Sequence, residues 1–225
     1  MDYSLSSMSN FTHPDFAHTL AQDPQLAQVL QTMGNIALPT PKQDVYVSLL
    51  RAIVGQQLST QVADSIWARF SKLFEANYPT PEALLSLPIA DLRAVGLSQA
   101  KATYVQHVAN FAQSQDLSFA HISPMTDQEI IAYLQPIKGL GVWSIQMLLM
   151  FTLVRPDVLP VGDLGIQLAI KDLYNISQTG KALLEAITEQ ATAWQPYRSY
   201  ACFYLWAHRN QTIAHKKKTA RTSNS

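Results

Sequence analysis

The sequence predicts an all-α protein, and two observations support this class, while a third concerns the size of the core. Apolar residues recur at helical spacing in several segments, which is typical of amphipathic helices. No segment shows the regular alternation of a half-buried strand, and no Asn-Gly or Asp-Gly pair marks a tight β-hairpin. The 225 residues are 48% hydrophobic, so the chain can bury a sizeable core as one large domain or two small lobes.

The predicted helices can be placed in order along the chain. In the segment 45–58, Val45, Leu49 and Ile53 recur at helical spacing. Thr126 and Glu129 form the Thr-x-x-Glu pattern of a capping box before 130–134. The other predicted helices cover 61–74, 100–111, 142–153, 164–174, 181–194 and 197–207. Prolines at 39–41, 79–81 and 156–160 mark loops or helix starts.

A glycine hairpin, Gly139-Leu140-Gly141, directly precedes the apolar helix at 142–153. Backbone N–H groups at a helix start have no partner within the helix, which suits a phosphate. One loop further, Pro160-Val161-Gly162-Asp163 places a carboxylate before the next helix. Asp163 is a candidate for chemistry on the molecule that carries the phosphate. From the residues alone, an N-cap of the helix 164–174 is the favoured interpretation.

The charge distribution limits how the chain could bind a nucleic acid. The formal net charge is zero, but the last eleven residues contain four basic residues and no acidic one. Residues 1–214 therefore carry 12 basic against 16 acidic groups, a net charge of −4. Such a body cannot hold DNA by bulk attraction, so any contact must be local, through backbone amides and a few cations. We expect 210–225 to be a basic, disordered tail.

Several classes of site and location are not expected. Cys202 is the only cysteine, so an intramolecular disulfide, a CxxC zinc site and a four-cysteine iron–sulfur cluster cannot form. The six histidines show no metal-ligand spacing, and no side-chain metal site is expected. No apolar run is long enough to span a membrane, and the N-terminus lacks a signal-peptide layout. We expect a cytoplasmic protein with access to chromosomal DNA.

Four ordered motifs carry a family resemblance. They are Ile-Val-Gly-Gln-Gln-Leu-Ser at 53–59, Leu-Arg-Ala-Val-Gly-Leu-Ser at 92–98 followed by Lys101, Ile-Lys-Gly-Leu-Gly-Val-Trp-Ser at 137–144, and Pro-Val-Gly-Asp at 160–163. Over about 42–209 the chain resembles the helix-hairpin-helix DNA glycosylase superfamily, in its alkylbase branch of the 3-methyladenine DNA glycosylase II type. The resemblance implies two helical lobes with a DNA-binding cleft between them, lobe A approximately 1–56 plus 161–209 and lobe B approximately 57–160.

The resemblance implies a monofunctional DNA glycosylase of base excision repair. It would hydrolyse the N-glycosidic bond of alkylated purines, chiefly 3-methyladenine with 7-methylguanine as a second candidate, and leave an abasic site. Such a base is a cation and leaves readily, so the Asp163 carboxylate could stabilise the oxocarbenium-like sugar and position a water. Bifunctional relatives carry a lysine at the place of Trp143. Lys138 lies before the first glycine and does not match that place, so no lyase activity is expected.

The resemblance also implies how a flipped base is held. Trp143 and Trp206 would hold it by stacking and cation–π attraction, although core packing is the alternative for each. Met147 stands where some relatives have an aromatic residue, which leaves the pocket shape and the substrate range open. Gln57 would fill the gap in the duplex, whereas Gln56 is equally well explained as a structural amide.

The implied partner is double-stranded DNA that contains alkylated bases. The protein is expected to be a monomer and not to associate with a membrane. DNA contacts are implied for Gly139, Gly141, Val142 and Ser144, where the amides after the glycines can meet a phosphate, and for Lys101, which would contact the strand near the lesion. For Lys101, an ordinary solvated lysine is the alternative. The backbone of Ile137 and Gly139 would hold a monovalent cation, and no other cofactor is expected.

Two other functions remain open at this stage. One is a glycosylase for another lesion, such as a deaminated or oxidised base, whose neutral leaving group would need more help than one aspartate offers. The other is a non-catalytic helix-hairpin-helix DNA-binding protein, in which Asp163 and both tryptophans belong to the scaffold.

Overall fold

The computed structural model describes the backbone of residues 15–222 and the side chains of residues 15–215. Within this part of the chain the regular structure is helical and no β-strand is found. An isolated antiparallel bridge joins Asp44 and Ser118. The predicted all-α class is confirmed. No helix in the described part is both long and apolar enough to cross a membrane.

The α-helices, in chain order, are α1 (Phe16–Leu20), α2 (Pro24–Met33), α3 (Val45–Gly55), α4 (Thr60–Ser71), α5 (Pro81–Ser86), α6 (Ile89–Ala94), α7 (Gln99–Ser114), α8 (Phe119–Ile122), α9 (Asp127–Leu134), α10 (Val142–Phe151), α11 (Leu164–Tyr174), α12 (Gly180–Gln190) and α13 (Arg198–Thr222). Short 3₁₀ helices lie at Glu75–Asn77 and Ala191–Trp194. The predicted capping box at the start of α9 is present. The Glu129 amide donates to Thr126 Oγ1 (3.2 Å), and the Thr126 amide donates to Glu129 Oε2 (2.7 Å).

The chain divides into two compact units, with boundaries that differ from the predicted lobes. The first unit is Met1–Pro39 with Arg155–Ser225, and the second is Thr40–Val154. Helix α3, which the sequence analysis assigned to the first lobe, belongs to the second unit because it packs on α4, α7 and α10. The loop at 155–160 belongs to the first unit because the start of α13 holds it. Arg198 forms an ion pair with Asp157 (2.7 Å), and the Ser199 amide donates to the Pro156 carbonyl (2.9 Å).

Helix α7 is central to the second unit. Its buried residues Ala102, Val105, Val108 and Ala109 recur every three or four positions and form one apolar face. Helices α3, α5 and α6 pack on α7, and α10 packs on α3 and α9. The other side of α7 therefore remains free to carry polar side chains toward neighbouring loops.

Helix α13 is the main element of the first unit and packs on α2 and α11. Its residues from Ser199 to Leu205 are buried without interruption. The Phe16 ring stacks on Tyr200, with ring centroids 4.6 Å apart. This continuous burial explains why no simple amphipathic stripe is visible at the start of α13.

The prediction of a disordered segment from residue 210 is wrong for 210–222, because α13 continues to Thr222. This stretch has no proline or glycine, and its glutamine, alanine, lysine and arginine residues all favour a helix. Residues 223–225 and the side chains from Lys216 onward lie outside the described part. The predicted role of the basic tail therefore stays a prediction.

Asp23, which the sequence analysis did not single out, connects four elements of the first unit. It caps α2 through Oδ1, which accepts hydrogen bonds from the Gln25 and Leu26 amides (3.0 and 3.1 Å). Its Oδ2 accepts three further bonds, from Tyr174 Oη (2.7 Å), Gln190 Nε2 (3.0 Å) and Trp194 Nε1 (3.0 Å). Burial alone would raise the pKa of Asp23, but the hydrogen bonds outweigh it and leave the pKa below its usual value.

We expect Asp23→Asn to lower the free energy of unfolding at neutral pH by about 2–3 kcal/mol, because a neutral amide cannot satisfy five donors. Urea denaturation of the full chain measures this difference. Since the folded-state pKa is depressed, the contribution of the carboxylate is present above the unfolded pKa and is lost as the pH falls below it. The difference in free energy of unfolding between wild type and variant should therefore decrease below about pH 4.

Asp15→Asn is the matched control, because Asp15 precedes α1, is exposed and makes no capping bond with its side chain. A variant at Asp23 that is as stable as this control would contradict the assigned role.

Candidate functional site

The glycine hairpin before α10 is built as an open helix start. Gly139 has φ +98°, and a Cβ at this position would lie 2.2 Å from Cγ of Tyr104, so only glycine fits. Gly141 is the N-cap of α10, and a Cβ there would meet nothing within 4 Å. Because glycine has no capping side chain, no side-chain cap bond is made to the first amides of α10, and we call this an open helix start. This arrangement suits an anion such as a phosphate.

Two predicted phosphate-binding residues, Val142 and Ser144, lie in the first turn of α10 with different exposures. The Val142 side chain is 52% exposed. Ser144 is 3% exposed, and its Oγ accepts a hydrogen bond from Gln56 Nε2 (3.1 Å). The Ser144 hydroxyl therefore faces the protein, and only its backbone amide belongs to the open helix start.

Gln56 joins the end of α3 to the hairpin. Besides its bond to Ser144, its Nε2 donates to the Gly139 carbonyl (2.9 Å). The two donors of one side-chain amide thus connect residues that are 83 and 88 positions away in sequence. The interpretation of Gln56 as a structural amide agrees with these contacts.

Gln57 is exposed and has φ +56°, in the left-handed region that non-glycine residues rarely adopt. For an L-residue this conformation costs about 1–2 kcal/mol, so neighbouring contacts must hold it. We call residues 54–58 the Gln57 loop. The loop presents the predicted wedge at the end of α3.

Lys101 contacts the Gln57 loop from α7. Its Nζ donates to the carbonyls of Val54 (2.9 Å) and Gln56 (2.7 Å). The side chain is partly buried, and loss of hydration lowers the pKa of its ammonium. The sequence predicted a contact with the DNA strand or a solvated lysine here, and the structure places the ammonium against backbone oxygens of the protein.

The two predicted pocket residues on α10 have different surroundings. Trp143 is partly buried at the first turn. Met147, one turn later, lines a cavity of about 350 Å³ inside the second unit. The other lining residues come from α10 and from the chain at and before α3: Lys42, Asp44, Val47, Ser48, Arg51, Ala52, Leu148, Phe151 and Thr152. Trp143 does not line this cavity.

Asp163 and Trp206 lie together in the first unit. Asp163 is the N-cap of α11, and its Oδ1 accepts hydrogen bonds from the Ile166 amide (2.9 Å) and from Trp206 Nε1 (3.0 Å). Both side chains are partly buried. The capping interpretation is thus correct, but the indole bond is an additional contact that a helix cap does not require.

Gly165 leaves the space for this pair, and sequence reasoning missed it. A Cβ at Gly165 would lie 3.0 Å from Asp163 Oδ1 and 3.1 Å from Trp206 Nε1. A larger residue would therefore press on both atoms of the hydrogen bond. The Asp-Leu-Gly order at 163–165 was the available signal, since it places a glycine two residues after the carboxylate.

Cys202, also on α13, is fully buried. Burial and the negative charge of Asp163 both raise the pKa of its thiol. The thiol is therefore protonated at neutral pH and cannot serve as a nucleophile.

The backbone of the hairpin, and not a cluster of side chains, offers oxygen ligands for a cation. The described side chains contain no group of three or more His, Cys, Asp or Glu placed to hold a metal. The Ile137 carbonyl accepts a bond from the Leu140 amide (3.1 Å), and the Gly139 carbonyl accepts one from Gln56. Each oxygen has a second lone pair, so these carbonyls fit the donor chemistry of a monovalent cation.

Comparisons with known proteins agree with this arrangement. Residues 50–193 match the family described as HhH-GPD superfamily base excision DNA repair protein. A putative DNA-3-methyladenine glycosylase, YfjP, of Bacillus subtilis is 33% identical over 168 residues, which is 72% of this chain and 58% of that relative.

Two solved structures are similar over most of the chain. A DNA-3-methyladenine glycosidase from Bacillus halodurans is 33% identical with a TM-score of 0.76, covering 90% of this chain and 92% of that one. The 3-methyladenine DNA glycosylase Mag1 of Schizosaccharomyces pombe, in complex with abasic DNA, is 27% identical with a TM-score of 0.78, covering 85% and 95%. The chain therefore belongs to the HhH-GPD superfamily of base excision DNA repair proteins, and its predicted membership of the alkylbase branch of helix-hairpin-helix glycosylases is confirmed.

Proposed function

We propose that this protein is a monofunctional DNA glycosylase that removes alkylated purines, chiefly 3-methyladenine, from double-stranded DNA. The observation that carries the proposal is the Asp163 carboxylate, which the Trp206 indole and the Ile166 amide hold in one orientation. The names of the relatives, DNA-3-methyladenine glycosylases, support the substrate class. A second substrate, 7-methylguanine, has the same cationic character and belongs to the proposal.

The chemistry needs little from the protein beyond this carboxylate. Alkylation at N3 or N7 makes the purine a cation, so the base departs as a neutral molecule without a strong general acid. As the bond breaks, positive charge develops on the sugar, and Asp163 stabilises it and orients the attacking water. The products are a free base and an abasic site. Because no lysine stands at the place of Trp143, we propose that no strand cleavage follows.

In this proposal, most of the DNA contacts come from the second unit. The open start of α10 binds a phosphate through the amides after Gly141. A monovalent cation bound at the carbonyls of Ile137 and Gly139 adds positive charge near this phosphate. Gln57 fills the space of the flipped nucleotide, and Trp143 stacks on the base. Trp206, which belongs to the first unit, is the other aromatic residue proposed to stack on the base. The abasic DNA bound to the Schizosaccharomyces relative supports DNA as the partner. We propose a monomer that acts on chromosomal DNA in the cytoplasm.

We expect Asp163→Asn to reduce excision by about 100-fold or more, because the variant loses the charge that stabilises the sugar cation. Asparagine is as good an N-cap as aspartate, and its oxygen can still accept from Ile166 and Trp206. The helix cap and the fold should therefore be unchanged. The measurement is release of free base from methylated duplex DNA, resolved by chromatography, with circular dichroism as the test of folding.

Asp116→Asn is the matched control, since Asp116 is exposed, lies away from the proposed site residues and likewise accepts a hydrogen bond from a backbone amide, that of Ser118 (2.7 Å). Wild-type release by Asp163→Asn would refute the mechanism. If the wild type releases no base from methylated DNA but releases one from a deaminated or oxidised duplex, the protein is a glycosylase for another lesion. No release from any duplex, without preference for abasic DNA in binding, would favour a DNA-binding protein without catalysis.

We expect Trp206→Phe to slow excision about tenfold, equivalent to ~1.5 kcal/mol, because one hydrogen bond to the Asp163 carboxylate is lost while an aromatic ring remains. Single-turnover rates on methylated duplex DNA measure this effect, and affinity for an abasic duplex should stay near that of the wild type. Trp67→Phe, on α4 of the second unit, is the control for the substitution itself. An unchanged rate would show that Trp206 acts only through its ring.

A further inference from the structure

We propose that Lys101 is a positioning residue, whose ammonium holds the Gln57 loop in the conformation that presents Gln57 to the duplex. This inference rests on the proposed function, because it assigns Lys101 a part in the insertion of Gln57. It replaces the direct contact with the DNA strand that the sequence predicted for the same lysine.

Lys101 compensates for a helix that stops early. In a continuing helix, the Val54 carbonyl would accept from the amide of Leu58, four residues later. The Leu58 amide instead donates to the Gly55 carbonyl (3.2 Å), which leaves Val54 without its helical donor. Lys101 Nζ donates to Val54 at 2.9 Å and satisfies this oxygen. A cation at the C-terminal end of α3 also interacts favourably with the helix dipole.

The second contact of Lys101 acts directly on the conformation of Gln57. The Gln56 carbonyl belongs to the peptide plane that leads into Gln57, and Lys101 Nζ holds this oxygen at 2.7 Å. The orientation of that plane determines φ of Gln57, which is +56°. Glutamine has no intrinsic preference for this region, so the plane must be held from outside. Lys101 holds the carbonyls on both sides of Gly55 and therefore holds the plane.

Two neighbours of Lys101 on α7 contact the glycine hairpin, one by packing and one by a hydrogen bond. The Tyr104 ring fills the space beside Gly139, and His107 Nδ1 donates to the Lys138 carbonyl (3.2 Å). Lys101, Tyr104 and His107 are three residues apart, so they follow one side of the helix. Together with Gln56, which bonds to the hairpin, they fix the Gln57 loop and the hairpin in one arrangement before DNA binds.

Salt dependence separates a positioning lysine from a phosphate-binding one. A phosphate contact on B-DNA contributes about 0.9 to the slope of log affinity against log salt, on intact and damaged duplexes alike. A lysine that only holds the Gln57 loop contributes nothing to this slope. Its loss weakens the complexes in which Gln57 is inserted and leaves binding to an intact duplex unchanged.

The experiment compares the full-length wild type with Lys101→Met, which keeps the length of the side chain and removes its charge and donors. Binding is measured at several salt concentrations on an intact duplex and on one with a tetrahydrofuran abasic analogue. Single-turnover excision is measured on methylated duplex DNA. We expect affinity for the abasic duplex and the excision rate each to fall about tenfold, with the salt slope and the intact-duplex affinity unchanged.

Lys72→Met, an exposed lysine at the end of α4, is the matched control and should behave as the wild type does. Lys101→Arg keeps the charge and several donors, and we expect it to regain most of the lost affinity. Should Lys101→Met fail to fold, as judged by circular dichroism, Lys101→Gln takes its place in the same comparison, because a polar side chain is better tolerated at this partly buried position.

Two results would overturn the inference. A slope reduced by about one, with equal losses on intact and abasic duplexes, would make Lys101 a phosphate contact. Unchanged affinity and excision would remove it from the site altogether. The proposed function fails separately: a wild type that excises no base refutes the glycosylase, whereas the abasic-to-intact comparison still reports on Lys101.

Discussion

The placement of the Gln57 loop beside the glycine hairpin depends on the hydrogen bonds of Gln56. Through one amide nitrogen, the end of α3 is joined to both the Gly139 carbonyl and the Ser144 hydroxyl. The segments on the two sides of this contact are distant in sequence, and each contains backbone that regular helix bonds do not satisfy. A shorter or apolar side chain at position 56 would leave the buried Ser144 hydroxyl and a hairpin carbonyl without this donor. The contact therefore serves both stability and the relative placement of the two loops.

The sequence predicts local features of this protein well because their causes are local. The capping box at Thr126 and Glu129, the conformationally special Gly139 and the apolar face of α7 each depend on residues a few positions apart. The features it did not predict depend on tertiary contacts. The five donors around Asp23, the two carbonyls around Lys101 and the place of α3 in the second unit join segments separated by tens of residues. No periodicity or motif contains that information.

The candidate site follows the same division. The hairpin, Asp163 and the wedge position could be identified from motifs, whereas their supporting residues could not. Gly165 and Tyr104 belong to no recognisable motif. Gly165 nevertheless leaves the space for the Asp163 and Trp206 pair, and Tyr104 fills the space beside Gly139. The helix cap that Asp163 forms does not conflict with the catalytic role proposed for it. The cap fixes the rotamer of the carboxylate at the start of α11.

The burial of Cys202 limits chemical modification of the protein by alkylating agents. Agents that methylate DNA also attack protein nucleophiles, and a thiolate is among the most reactive of them. The chain contains one thiol, which is enclosed in the core and kept protonated by its surroundings. A protein that removes alkylated bases must remain active while the alkylating agent is still present. With its thiol inaccessible, this chain is protected at that position against the same chemicals that generate its proposed substrate.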